Sequence, residues 1–361
     1  MFDSSILERL RGIGLAASHL QSLAVTPATG DDAALLRVVE VQRDALTLHD
    51  SIDEHAARAL PALLAELAAQ ADGLAVGDWV LATRNAHGQW WVHHRLPPLT
   101  QLARRLHDGR DKVTRTVIVS NVDTALIVMG LDMDYNLRRL ERYLALVRLA
   151  GIGTVVVLTK ADLCDDPAAR AAEVAALLPP DAAVVTVNAL QAGAADALAP
   201  WLTTGRTLVL LGASGTGKST LTNTLVSDAL QLTGGTRSGD GRGRHTTTAR
   251  TLHRTPHGAC IIDTPGLRTL RLDSEAGDVQ AVFDDIAQLS MSCRFRDCRH
   301  HDEPGCAVRG AVDDARLRNF HKLLRETQRD TMTALQRKAQ LQVWKARSKA
   351  GRERVREKQG R

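Results

Sequence analysis

Aromatic residues are scarce in this 361-residue chain, with four Phe, two Tyr and five Trp, about 3% of the total. Its cores must therefore be aliphatic, and the 44% hydrophobic content is ample for them. No apolar run approaches the roughly 18 residues of a membrane helix, which argues against a membrane partner. No basic-then-apolar leader opens the chain, and the five cysteines are odd in number and unevenly spread. A disulfide framework fits such a set poorly, and a reducing, cytoplasmic setting is expected. Internal repeats are also absent, so the expectation is two or three separate domains. Charge of one sign does not dominate the whole, at 46 Lys and Arg against 41 Asp and Glu. Its distribution is uneven, because residues 337–361 hold ten Lys or Arg and two Glu. That net +8, against +5 for the chain, is the electrostatic footprint of a segment that meets phosphate backbones.

Residues 212–220 read Gly-Ala-Ser-Gly-Thr-Gly-Lys-Ser-Thr after the apolar run from Thr207, with helical spacing from Leu221 onward. Strand, glycine-rich loop and helix form a phosphate cradle, in which backbone N–H groups of Gly212, Ala213, Ser214, Gly215, Thr216 and Gly217 face anionic oxygens. Lys218 supplies a point charge to the β- and γ-phosphates, Ser219 is placed to ligate Mg²⁺, and Thr220 closes the motif. Asp263-Thr-Pro-Gly266 follows a second apolar run, about 50 residues on. Asp263 would hold Mg²⁺ through water, and the Gly266 N–H would meet the γ-phosphate. Leu267 stands where many GTPases keep a water-orienting glutamine, so hydrolysis must draw on another group or a partner.

Thr159-Lys160-Ala161-Asp162 ends the run Thr154–Leu158. The Asp162 carboxylate offers two acceptors to the guanine N1–H and exocyclic amine, a pair that adenine does not donate. Lys160 lays its stem along base and phosphate loop. Asn188-Ala189, after the run Ala183–Val187, occupies the place of a backbone donor to guanine O6. The base motif thus precedes the phosphate loop, the reverse of the ordinary order, and the pattern is that of a circularly permuted GTPase. Between phosphate loop and Asp263, residues 234–248 are rich in Gly, with Arg237, Arg242, Arg244 and His245 suited to an RNA contact. One of Thr246, Thr247 and Thr248 is the expected switch threonine.

Cys293-x4-Cys298-x-His300-x5-Cys306 offers three thiolates and an imidazole, the donor set of a closed, structural Zn²⁺ site, with His301 as an alternative to His300. Upstream, short alternating runs at 35–49 and 76–95, with a hairpin loop at Asn85–Gly88, predict a small β-barrel. Of Trp90 and Trp91, one is expected in its core and the other is free to stack on bases. Residues 50–72 read as an alanine-rich helix, and 103–115 as a basic linker. Leu317, Phe320, Leu324 and Leu335 space as one helix face packing on the metal module.

The ordered set of motifs resembles the RsgA family (YjeQ, YloQ) of small-subunit-dependent ribosomal GTPases. Asn121-Val-Asp, the run Asn136–Leu144 and Val76-Gly-Asp-Trp-Val add to the likeness. The resemblance implies a multidomain α/β protein: an OB-fold-like RNA-binding barrel with basic linker (1–112), a permuted P-loop GTPase (113–275), and a zinc-binding domain with α-helices and basic tail (276–361). It also implies GTP/GDP, the small ribosomal subunit and its rRNA as partners, with hydrolysis assisted by His245. A monomer that times late subunit maturation is the expected working form; the alternative is a GTP-gated RNA-binding assembly chaperone whose hydrolysis is incidental.

Overall fold

The computed structural model describes residues 3–26, 32–42, 45–107, 113–191, 193–232, 250–264, 279 and 283–331. The chain separates into two compact units, one of Met1–Arg104 with Arg115–Leu270, the other of Arg105–Thr114 with Arg271–Arg361.

The first unit opens with helices α1 (Ser4–Arg11) and α2 (Ala17–Ala24), which the sequence reading did not assign. Five strands follow: β1 (Ala34–Val41), β2 (Leu46–His49), β3 (Glu54–Ala59), β4 (Trp79–Arg84) and β5 (Trp90–Arg95). They pair in the order β1-β2-β3-β5-β4, and β4 returns to β1, so the sheet closes into a barrel. Its core is aliphatic, with Leu36, Val38, Leu48, Val80 and Val92 all buried. Residues 50–72 are not one helix. Glu54–Ala59 is β3, hydrogen-bonded to β2 on one side and β5 on the other, and only Pro61–Ala69 is helical (α3). Alanine favours helix and is depleted in strands, but pairing on both sides overrides that preference and makes the segment a strand. Pro61 at the first helical turn marks the change. Trp90 packs against the barrel core and Trp91 is half-buried, so neither ring lies free on the surface.

Strands β6 (Gln101–His107) and β7 (Val113–Ser120) pair as a separate two-stranded sheet. The remaining strands are β8 (Thr124–Gly130), β9 (Gly153–Thr159), β10 (Ala183–Thr186), β11 (Thr207–Leu211), β12 (Thr251–Arg254) and β13 (Cys260–Asp263). They run in the order β10-β9-β8-β11-β13-β12, parallel except for β12. Helices α4 (Leu137–Leu149), α5 (Pro167–Ala175), α6 (Gly193–Leu198) and α7 (Lys218–Leu232) connect them. Near-continuous Val, Leu and Ile in β8, β9 and β11 is the composition of strands covered on both faces.

Barrel and GTPase sheet are continuous through β1 and β12, paired at Glu40 and Thr251. A buried cation holds the seam: Arg37 donates to the Ile13 carbonyl, to the Asn121 carbonyl at 3.3 Å and to Thr207 Oγ1 at 2.9 Å. Its guanidinium also lies over the Trp79 ring, 5.4 Å from the centroid. A charge so buried is tolerated only where hydrogen bonds replace its water, so this junction is specified rather than greasy.

In the second unit, α8 (Asp284–Ser290) and α9 (Asp314–Thr331) flank the cysteine-rich loop. Phe283 meets Phe320 edge-on at 5.3 Å, and Arg316 grips Asp285 with two hydrogen bonds of 2.7 and 2.8 Å. Leu317, Phe320 and Leu323 are the buried face of α9, so Leu323 replaces the expected Leu324, which is half-buried. Leu335 lies outside the described residues, as does the basic segment 337–361. No helix among the described residues is long and apolar enough to cross a membrane.

Candidate nucleotide site and metal centre

The parallel strands deliver every described nucleotide motif to their C-terminal edge, where doubly wound sheets bind ligands. The phosphate loop leaves β11 at Gly212. A side chain there would meet the Val128 carbonyl oxygen at 2.4 Å, so only glycine lets the loop turn against β8. Within the loop, the Thr216 hydroxyl donates to the Ala213 carbonyl at 3.0 Å and Lys218 Nζ donates to the same carbonyl at 2.7 Å. Lys218 is 6% exposed, and burial lowers its pKa while the neighbouring Asp263 carboxylate opposes the shift. A partly desolvated ammonium beside a buried acid is a strong phosphate electrode, because little water screens it. Ser219 sits in the first turn of α7, half-buried, and the Thr264 hydroxyl donates to the Leu210 carbonyl at 2.6 Å, which anchors the strand end that carries Asp263. Ser214 and Gly215 are exposed on the loop crest; Thr220 follows in α7.

The base motif lies alongside. Thr159 ends β9 buried, and its hydroxyl donates to the Thr216 carbonyl at 2.7 Å, a direct tie from base motif to phosphate loop across 57 residues. Lys160 adopts the left-handed conformation, at φ 58°, uncommon for a residue with a side chain. This turns the chain into a short 3₁₀ segment, Ala161–Leu163, on which Asp162 stands exposed, its acceptors without a hydrogen-bond partner among the described residues. The Lys160 ammonium is paired with Asp132, in the loop after β8, at 2.5 Å. Asn188 folds its own loop: its Oδ1 accepts the Leu190 N–H at 3.1 Å. The following Ala189 is buried, its carbonyl accepting the Thr224 hydroxyl of α7 at 2.7 Å. Gly266, His245 and Thr246–Thr248 lie outside the described residues.

Asp132 was not singled out from the sequence. An acid in a loop at the ligand-bearing edge of a parallel sheet is the one signal that marks it. Asn136 is the N-cap of α4, accepting the Arg139 N–H at 2.9 Å.

In the second unit the ligand atoms of Cys293, Cys298, His300 and Cys306 all lie within 4.8 Å of one another. His300 Nδ1 is 3.7 Å from Cys293 Sγ and 3.5 Å from Cys306 Sγ. A tetrahedral ion with bonds of about 2.3 Å to sulfur and 2.0–2.1 Å to nitrogen requires edges of about 3.5–3.8 Å, so the donor set fits Zn²⁺. Burial depresses the His300 pKa and keeps the imidazole neutral, with a lone pair for an ion. The Ala307 N–H donates to Cys293 Sγ at 3.4 Å, a thiolate-stabilising contact from the loop itself. His301 instead stacks on His321, with ring centroids 4.1 Å apart, and is not part of the set. All five cysteines are free of disulfides.

A phosphate loop, a guanine-type base motif upstream of it and an acid on the neighbouring strand, all on one parallel sheet joined to a small barrel, define a circularly permuted GTPase. A model of the RsgA GTPase family matches residues 99–273. The small ribosomal subunit biogenesis GTPase RsgA of Mesorhizobium japonicum is 46% identical over 71% of this chain and 75% of its own length. Its counterpart in Xylella fastidiosa is 48% identical over 69% and 74%, and the RsgA 2 protein of Lactiplantibacillus plantarum 40% over 80% and 82%. The solved structure of YjeQ from Thermotoga maritima matches with a TM-score of 0.58 at 23% identity, covering 82% of this chain and 98% of that one. YloQ, solved as a circularly permuted GTPase, matches at 0.56 and 22%, covering 86% and 100%. The chain belongs to the RsgA family and is a GTPase.

Proposed function

We propose that the protein hydrolyses GTP while bound to the small ribosomal subunit and so assists its late maturation, with hydrolysis timing release. The observation that supports this most is the hydrogen bond from Thr159 to Thr216, which joins a guanine-reading motif and a phosphate loop into one site. The names carried by the relatives point to the subunit as the place of action. In this reading Asp162 recognises the guanine edge, Lys160 flanks the base, and the Asn188-Ala189 turn offers a backbone donor to O6. Residues 212–220 cradle the phosphates, with Lys218 neutralising charge as it develops on the transferred group. Ser219 and, through water, Asp263 would hold the Mg²⁺ that accompanies the nucleotide; when bound, the ion neutralises phosphate charge. Gly266 donates to the γ-phosphate, one of Thr246–Thr248 senses it, and His245 assists hydrolysis where Leu267 has replaced the usual glutamine. Cys293, Cys298, His300 and Cys306 hold one structural Zn²⁺, and that module with the basic tail faces rRNA. The domains are assigned to 1–112, 113–275 and 276–361, and the protein works as a cytoplasmic monomer.

GTP turnover with and without purified small subunits tests this reading. Stimulation by the small subunit and none by the large one is expected, with most of the stimulation lost in His245→Ala. Equal turnover in all mixtures would favour a GTP-gated RNA chaperone. Removing residues 337–361 should weaken subunit binding and flatten its salt dependence, since fewer phosphate contacts release fewer counterions.

A further inference from the structure

We infer that Asp132 is a positioning residue for nucleotide binding, acting through Lys160; the inference rests on the guanine reading of residues 159–162. Four observations carry it. Asp132 Oδ2 lies 2.5 Å from Lys160 Nζ, and both side chains are only partly exposed, at 22% and 29%. Its other oxygen accepts the Asp134 N–H at 3.1 Å, so the carboxylate is fixed in its own loop and is not a swinging counter-ion. The loop backbone is in turn bonded to the base motif, the Leu131 N–H donating to the Thr159 carbonyl at 2.9 Å. Finally, Gly130 leaves room for the pair: a side chain there would meet Asp132 Oδ1 at 2.6 Å and the Lys160 Cδ at 3.5 Å. The lysine stem therefore lies flat across the end of β8, with its ammonium anchored at the far side.

The consequence is preorganisation. A free lysine loses rotamer entropy when it is laid along a base. Asp132 imposes that ordering before nucleotide arrives, so less is lost on binding. The anchor sits at the base end, which GTP and GDP share. Its effect must then be equal for the two nucleotides and leave their affinity ratio unchanged. A residue that acted on the γ-phosphate would alter that ratio.

The test is a double-mutant cycle on the full-length protein, read by titration with GDP and with GTP. Asp132→Asn keeps the acceptor for the Asp134 N–H and removes the charge. It should weaken both nucleotides by the same factor, about two- to fivefold, the range a partly exposed ion pair supplies. In a Lys160→Ala background the same substitution should have no measurable effect. An equal loss in both backgrounds, no loss in either, or tighter binding by Asp132→Asn would overturn the assignment. Asp162→Asn separates this failure from failure of the site itself. If Asp162→Asn is weakened and Asp132→Asn is not, only the role of Asp132 falls; if Asp162→Asn also binds as wild type, the guanine reading fails with it.

Discussion

The nucleotide site and the Cys3His centre are both clusters of polar groups, but they are held in opposite ways. Around the first, the strands are buried apolar runs, and Leu208, Val209, Leu210 and Leu211 show no exposed surface. The sheet would stand without its polar residues, and the chemistry is displayed on an edge that packing has already built. Around the second, the ligand loop between α8 and α9 buries only His300, Val308 and Val312, while Cys293, Cys298 and Cys306 are each half-exposed. In that loop the ion would do the work that a core does elsewhere. The contrast shows which residues are answerable for folding and which for function alone.

Metal removal is the hardest blow to that contrast. Chelation, or Cys298→Ser, should unfold the region around 290–310 while the GTPase sheet keeps its fold and its affinity for GDP. Structural Zn²⁺ contributes about 10–16 kcal/mol in isolated fingers, far more than any other single interaction in this loop. Metal analysis and hydrogen exchange across the two units check this, and uniform loss of protection in both would end the separation. Lys218→Ala should do the reverse. Turnover should fall by at least about a hundredfold, as expected for losing a preorganised charge at the transferred group, with the thermal midpoint nearly unchanged. A variant that failed to fold would show that the phosphate loop also carries stability.

Much of this division is legible in the sequence, and the reasons are physical. A phosphate cradle demands glycine where Gly212 abuts the Val128 carbonyl, and a tetrahedral ion demands soft donors a few residues apart, so both write themselves into short spacings. In the barrel, alternating runs and the Asn85–Gly88 loop mark β1, β2, β4 and β5 locally, but nothing local marks β3. Glu54–Ala59 became a strand because β2 and β5 pair with it, a decision made by partners elsewhere in the chain. Asp132 was missed for the same reason: its partner Lys160 is 28 residues away, and neither residue type is unusual where it stands. In α9 the error was one position, Leu323 for Leu324, because the apolar stripe is wide enough to place either inside.

The barrel offers a third behaviour, a buried acid serving neither a ligand nor an ion. Burial pushes the Asp78 carboxyl up to about 6, against the partial compensation of Arg95 at 4.0 Å. Its folded value exceeds the unfolded one, so the folded state binds the extra proton. Stability from this group is full below about pH 4 and is lost as pH rises through about 6. The difference in unfolding free energy between wild type and Asp78→Asn should fall by at most about 3 kcal/mol across that window, then level off. Denaturant titrations at pH 4, 5, 6 and 7 would show it, and a difference independent of pH would mean that Asp78 is ionised throughout.

The central claim is that the motif at 159–162, although it precedes the phosphate loop in the chain, reads guanine in the same site. Asp162→Asn tests it most directly, by nucleotide titration of wild type and variant with guanine and xanthine nucleotides. The charged acceptor pair is worth on the order of 1.5–3 kcal/mol, so GTP affinity should fall roughly tenfold to a hundredfold while xanthine nucleotide becomes the preferred ligand. Unchanged GTP affinity, with no gain for xanthine, would contradict the account.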